Sequence, residues 1–411
     1  MVIQMKRSLK IVLLLAAIVL LQGCWDKREL TDLLLITAIG IDKGKDTDYE
    51  LSYQIVNPIN VTGGLQGGQG GDRPPVSSYS VTGNNLTEMS RHASAKMSRE
   101  IYYSHTNLVV VDEKLAKGEG LIKILDVLDR DTDFRSTATI IISRGQKAKT
   151  FIRTLTPIDK IPSNKVNKTL QFTEELLGEH MKTSVQDVIK CLTSKAKHPI
   201  ISSFKVTGNK EKGEKMENVQ STSPEAIVEA DGLAVIKEGK LVNWLEGKTA
   251  RGVLWLRNKI SRTYLTTTLN HEKDAVTFDI IRQKTKIRSH LKNGKPAISV
   301  DVDMEGDIGE TTVPIHLDDP KVLSDIERKL AKELKNELQH TIDVAKRNKT
   351  DVLQFGDIVY RNHPKVWKKM EGEWSNRYFP DTDVDITVNA YIRRTGLRNN
   401  PNILNHHEGR S

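Results

Sequence analysis

Cysteine is scarce in this chain, with two in 411 residues. No disulfide framework can hold such a protein, so its fold must rest on packing. Aromatic residues make up only 5% of it. No block of Lys and Arg with interleaved aromatics occurs, so nothing reads as a nucleic-acid surface. After Leu21 no apolar run approaches the ~18 residues that a membrane span needs. Motifs for chemistry are missing as well. There is no Gly-x-Ser-x-Gly elbow for a serine hydrolase. The stretch Gly63 to Gly71 is rich in glycine but lacks the Gly-Lys-Ser/Thr ending of a phosphate loop. It reads as a flexible surface loop. His406, His407 and Glu408 adjoin in the tail, without a third ligand at useful spacing and without the HExxH pattern. These absences exclude the common enzyme signatures. They imply no metal, no cofactor and no catalytic residue.

What is present begins at the N-terminus. Lys6, Arg7 and Lys10 precede an apolar run from Ile11 to Leu21, and Leu21-Gln22-Gly23-Cys24 follows. A basic region, a short apolar region and a small residue before cysteine read as a bacterial lipoprotein signal over residues 1–23. Cleavage between Gly23 and Cys24 would leave Cys24 as the new N-terminus, its thiol carrying a diacylglyceryl thioether. Each buried CH₂ is worth about 0.8 kcal/mol, so two or more acyl chains anchor stably. Everything after Cys24 would then lie outside the cytoplasm. Trp25 is placed to sit at headgroup level. Net charge is +9, spread along the chain. That suits a solvated surface, or a basic face resting on anionic lipid. Cys191, in Val188-Ile189-Lys190-Cys191-Leu192, reads as a core cysteine of a helix.

The body reads as an α+β, multi-domain protein of two to three mixed modules. Its sheets are expected to be largely antiparallel, with a long helix of the C-terminal half packed on one of them. Leu33 to Asp42 is a buried strand, and Tyr49 to Pro58 should pair with it. Asn84 and Asn85 can cap a helix whose Leu86, Met89, Ala93 and Met97 face inward. Thr183 with Gln186 resembles a capping box. Gly232 to Leu245 is a hairpin turning at Lys237 to Lys240. From Pro320 to Asn348 apolar residues recur every four positions, with Asp318 and Asp319 at the helix start. These readings give a domain over 24–208, a polar linker over 209–224, a C-terminal domain over 225–398 that could divide near 265–310, and a tail over 399–411. His105 before a buried strand reads as structural. Asp26, Glu29, Asp32 and Asp42 could supply an acid/base pair, but pairing with Arg28 and nearby lysines, or turn capping, explains them more simply.

The opening Gly23-Cys24-Trp25-Asp26-Lys27-Arg28-Glu29-Leu30 with Ala38-Ile39-Gly40-Ile41-Asp42 resembles that of the Ger(x)C lipoproteins, the C subunits of spore germinant receptors. Weaker stretches agree in order. They are His105 to Val111 with Leu115, Ala116 and Gly118, then Leu128-Asp129-Arg130 and Arg135. Gly232-Leu233-Ala234-Val235 follows, with Leu241, Trp244, Leu245 and Arg251-Gly252. The last are Asp351, Phe355-Gly356, Tyr360, Pro364, Trp367, Trp374, Phe379 and Arg393 to Gly396. The resemblance implies a mixed α/β body in three modules, anchored on the outer face of the spore inner membrane. It implies a partnership with an A subunit and a polytopic B subunit, and a role in nutrient-triggered germination. The Gly-rich insertion near 63–71 departs from the pattern. No ligand-binding residue carries over. Two rivals compete. A solute-binding lipoprotein of a transporter needs two similar parallel α/β lobes. A surface enzyme needs paired carboxylates in a cleft or a zinc site.

Overall fold

The computed structural model describes residues 32–57, 60–61, 73–97 and 99–395. Two sheets organise them. The larger has nine strands. Its strands are β1 (Leu33–Lys43), β2 (Tyr49–Val56), β3 (Val76–Gly83), β4 (Glu100–Tyr102), β5 (Leu108–Asp112), β6 (Thr139–Ser143), β7 (Ile200–Gly208), β8 (Ala226–Lys237) and β9 (Lys240–Leu245). They run in the order β3-β2-β1-β5-β6-β7-β8-β9, with β4 beside β1. The centre β1-β5-β6-β7 is parallel, and antiparallel pairs flank it. The sheet is therefore mixed. Parallel neighbours need long crossovers, and helices on both faces supply them.

The β1 run explains one face. Ala38 and Gly40 point one way, Ile39 and Ile41 the other. Helices α1 (Leu86–Ala93), α2 (Glu113–Lys117) and α3 (Ile122–Arg130) pack over Ile39 and Ile41. Helices α4 (Ala148–Arg153) and α5 (Pro162–Leu176) cover Ala38. An added Cβ on Gly40 would lie 3.2 Å from the carbonyl carbon of Ala148, so glycine lets α4 approach closely. Asp42 then accepts hydrogen bonds from the Ala148 and Lys149 amides at 2.6 and 2.8 Å. These are orphan donors of the α4 N-terminus. Burial pushes the Asp42 carboxyl up to about 6, against those two amides.

Helix α6 (Val185–Leu192) carries Cys191, which is half-buried and free. The capping box sits one residue later than the sequence suggests. Ser184 caps and Asp187 reciprocates, while the Thr183 hydroxyl donates to Ile200 O at 3.3 Å. The expected linker also differs. Strands β7 and β8 on either side of 209–224 pair antiparallel, Gly208 opposite Ala226. Between them lie α7 (Lys210–Gly213) and α8 (Glu217–Gln220). Buried Asn218 explains how a polar segment folds in. Its amide donates to Leu155 O and Ala226 O at 2.8 and 3.1 Å, and its oxygen accepts from Ala226 N at 2.9 Å. The hairpin β8–β9 thus completes the first sheet, turning through positive φ at Glu238 and Gly239.

After α9 (Gly247–Leu256) comes the second sheet. Its order is β10 (Thr263–Leu269), β11 (Glu272–Lys292), β12 (Lys295–Thr311) and β13 (Asp383–Arg394). The division considered near 265–310 falls inside this single sheet. Strand β13 closes it parallel to β12. Helix α10 (Pro320–Arg347) lies across one face. Its Leu330, Leu334 and Leu338 share a core with Val300, Val302, Met304 and Ile386. The side chain of Asp319 caps it through Lys321 N. The other face is charged, with Arg288 paired to Asp301 and Lys292 to Asp383.

Candidate functional site

Gly23 and Cys24, and with them Trp25, Asp26 and Glu29, lie outside the described residues. So do Gly63 to Gly71 and His406 to Glu408. His105 is exposed beside β5, its ring 5.8 Å from that of Tyr102. Asp32 and Asp42 do not form a pair, because Asp42 is committed to α4. Among the described residues no group of three His, Cys, Asp or Glu is placed to hold a metal ion. Among them, too, no helix is long and apolar enough to cross a membrane.

Several of the family-like residues sort into structural fastenings. Arg251 on α9 grips Glu337 on α10 through two hydrogen bonds of 2.8 and 2.6 Å, both groups buried. A third bond runs to Tyr264 O at 2.9 Å. Gly252 beside it lets α9 meet α10, since a Cβ there would collide with the Thr341 side chain. Helices α11 (Phe355–Asn362) and α12 (Pro364–Met370) follow α10. Asp351 accepts from the Phe355 and Gly356 amides at 3.1 and 2.7 Å and from Trp374 Nε1 at 2.8 Å. Burial still pushes its carboxyl up to about 6. Trp374 packs between Trp367 and Phe379, tilted against both, at ring distances of 5.3 and 6.2 Å.

The same corner locks the two sheets together. His198 N donates to Asp351 O, and His198 Nδ1 accepts from Asp351 N, both at 3.0 Å. Arg257 donates to Val352 O at 2.7 Å and to His198 O at 3.4 Å. Lys237 reaches Lys349 O and Asn376. Burial holds His198 and His180 down to about 4, so both are neutral near pH 7. His180 Nε2 accepts from Gly232 N at 3.0 Å.

One cleft remains open over the first sheet, with a volume of about 480 Å³. Ile39, Ile41, Leu51 and Tyr53 form its floor, and α1 and α3 its walls. Leu128 and Arg130 of the Leu-Asp-Arg motif line it, with Asp131 and Phe134 after them. At its base the hydroxyls of Tyr53, Tyr103 and Ser90 cluster. Tyr103 donates to Tyr53 at 3.1 Å and is bonded to Ser90. Asp131 Oδ1 accepts from the Asp133 and Phe134 amides at 2.9 and 3.1 Å. The sequence signals the motif but not the cleft, which needs β1, β2, α1 and α3 assembled.

Two family profiles match the chain. One, described as spore germination protein N-terminal domain, covers residues 26–206. The other, spore germination B3/GerAC like, C-terminal, covers 231–396. They leave 207–230 between them, where the sheet itself continues. Spore germination protein KC of Bacillus subtilis (strain 168) is 51% identical over 397 residues, 96% of this chain and 98% of that protein. Spore germination protein B3 of the same organism is 24% identical over 398 residues, 95% and 99% of the two chains. The crystal structure of the GerBC protein superposes with a TM-score of 0.55 at 21% identity, covering 86% of this chain and 96% of that one. That likeness concerns the fold.

Proposed function

This chain belongs to the GerAC family of spore germination proteins, and we propose that it is the lipid-anchored C subunit of a nutrient germinant receptor. Its near full-length identity to a spore germination protein carries the reading. On this reading Cys24 holds the lipid after cleavage at Gly23, and the body sits on the outer face of the spore inner membrane. Its partners are an A subunit and a polytopic B subunit. The work is binding and assembly, not turnover. The fastened corner around Asp351 and Trp374 suits this, because two sheets locked by reciprocal hydrogen bonds move as one body.

The rival solute binder fits poorly. Its two lobes should be alike, whereas here one sheet has helices on both faces and the other has α10 on one face and charge on the other. Anchoring is tested by labelling with a palmitate analogue and fractionating spores. The native chain should carry label, sediment with inner membrane and co-isolate with the two partner subunits. The Cys24→Ala chain should lose label and shift to the soluble fraction. Equal membrane retention of both, without label, would reject the lipid anchor.

A further inference from the structure

The cleft over the first sheet has a chemistry that the assembly role leaves unexplained. Its volume of about 480 Å³ lies in the range of small-molecule sites. The floor is apolar, from Ile39, Ile41 and Leu51. The polar groups that converge on it are mostly acceptors. Three hydroxyls carry three protons and six lone pairs. Bonds among Tyr53, Tyr103 and Ser90 use at most three of each. Tyr53 is fully buried, so the spare lone pairs that reach the cleft are those of half-buried Tyr103 and Ser90. Asp131 adds a carboxylate whose Oδ1 takes two backbone amides, while Oδ2 has no hydrogen-bond partner among the described residues.

Burial, with a small share from the Asp131 charge, raises the Tyr103 phenol against its hydrogen bonds to Ser90 and Tyr53, so it stays protonated. The base of the cleft therefore offers lone pairs and negative potential, not an anion hole. Three aromatic residues, Tyr53, Tyr103 and Phe134, also line it. Arg130 does not cancel that potential, because it is engaged with Asp126 at 2.9 Å. Arg91 on the rim has no ion pair among the described residues, and is the one basic group free to meet a carboxylate.

We propose that this cleft binds a small amphipathic amine, amino acids included, with the ammonium group between Asp131 and the Tyr103 and Ser90 hydroxyls and the apolar body on Val127 and Leu128. The inference stands on the cleft alone and does not require the receptor assignment.

The test uses the full chain in detergent and saturation-transfer NMR. Probes are amines, amino acids and carboxylic acids, each with a phenyl or an isobutyl tail. The amines and amino acids should receive saturation, and the acids, which only Arg91 would hold, clearly less. Asp131→Asn keeps the two amide bonds but removes the charge, and should weaken amine binding about tenfold, the effect of roughly 1.4 kcal/mol on one charged contact. Tyr103→Phe should weaken it severalfold. Thermal melts confirm that both variants are folded. Absence of transfer to every amine and amino acid would overturn the proposal. So would transfer that neither variant changes, or acids that bind as well as amines.

Discussion

The two sheets solve the same burial problem differently. The second is densely packed along the middle of its inner face, where α10 lies over Val300, Val302 and Met304 and an aromatic plug forms around Trp374. Its two buried acids have their partners, Asp351 in three donors and Glu337 in Arg251. The first is covered on both faces but leaves a gap between α1 and α3 above Tyr53. Its polar groups at that gap keep spare acceptors. A filled core maximises dispersion contacts. A gap gives up such contacts at a place where a ligand can restore them.

That contrast should show first in truncations of the densely packed region. Trp374→Ala removes a fully buried indole and should cost about 4 kcal/mol in urea unfolding. A loss below about 1 kcal/mol would mean that the plug does not hold the corner. Arg251→Ala comes next. It strands the buried Glu337 carboxylate and should cost about 3 kcal/mol. Arg251→Met with Glu337→Leu should recover most of that loss. Failure to recover would show that the guanidinium acts through Tyr264 O instead.

A smaller effect separates the junction from the rest by pH. His198 has its pKa held near 4 in the fold, below the ~6.5 of an unfolded histidine. Its stabilising share is thus full above pH 6.5 and lost as pH falls towards 4. Asp42 and Asp351, raised to about 6, act in the opposite sense. Their share is full below the unfolded value of ~3.9 and lost as pH rises through 6. His198→Asn retains an acceptor for Asp351 N. The variant should gain stability relative to the native chain as pH drops from 6.5 to 4. A difference that stays constant with pH would show that His198 titrates normally. The smallest effect belongs to the cleft. Leu128→Ala, on its half-buried wall, should cost less than about 1 kcal/mol, since little area leaves water there on folding. A cost of about 3 kcal/mol would mean that this wall is as densely packed as the second sheet.

Local rules explain what the sequence makes legible. Periodicity marks α10 from end to end, a continuous apolar run marks β1 and alternation β2, and Asn85 caps α1 as its position suggests. The hairpin β8–β9 is legible from its turn, but its place in the first sheet is not. That depends on Asn218 satisfying backbone groups of two distant segments. The parallel centre is equally hidden, because short apolar strands such as Leu108 to Asp112 look the same in either direction. The fastenings are the hardest to see. Arg251 and Glu337 lie 86 residues apart, and no spacing rule connects them. For the same reason Gly40 and Asp42 look like parts of a motif until α4 is set against them.

The most direct measurement is nutrient germination of spores lacking this chain, followed by dipicolinate release across amino acids, sugars and nucleosides. The account predicts that the deletion abolishes the response to particular nutrients, and that restoring the native chain, but not Cys24→Ala, returns it in full. Normal germination on every nutrient in a strain also stripped of related C subunits would contradict it.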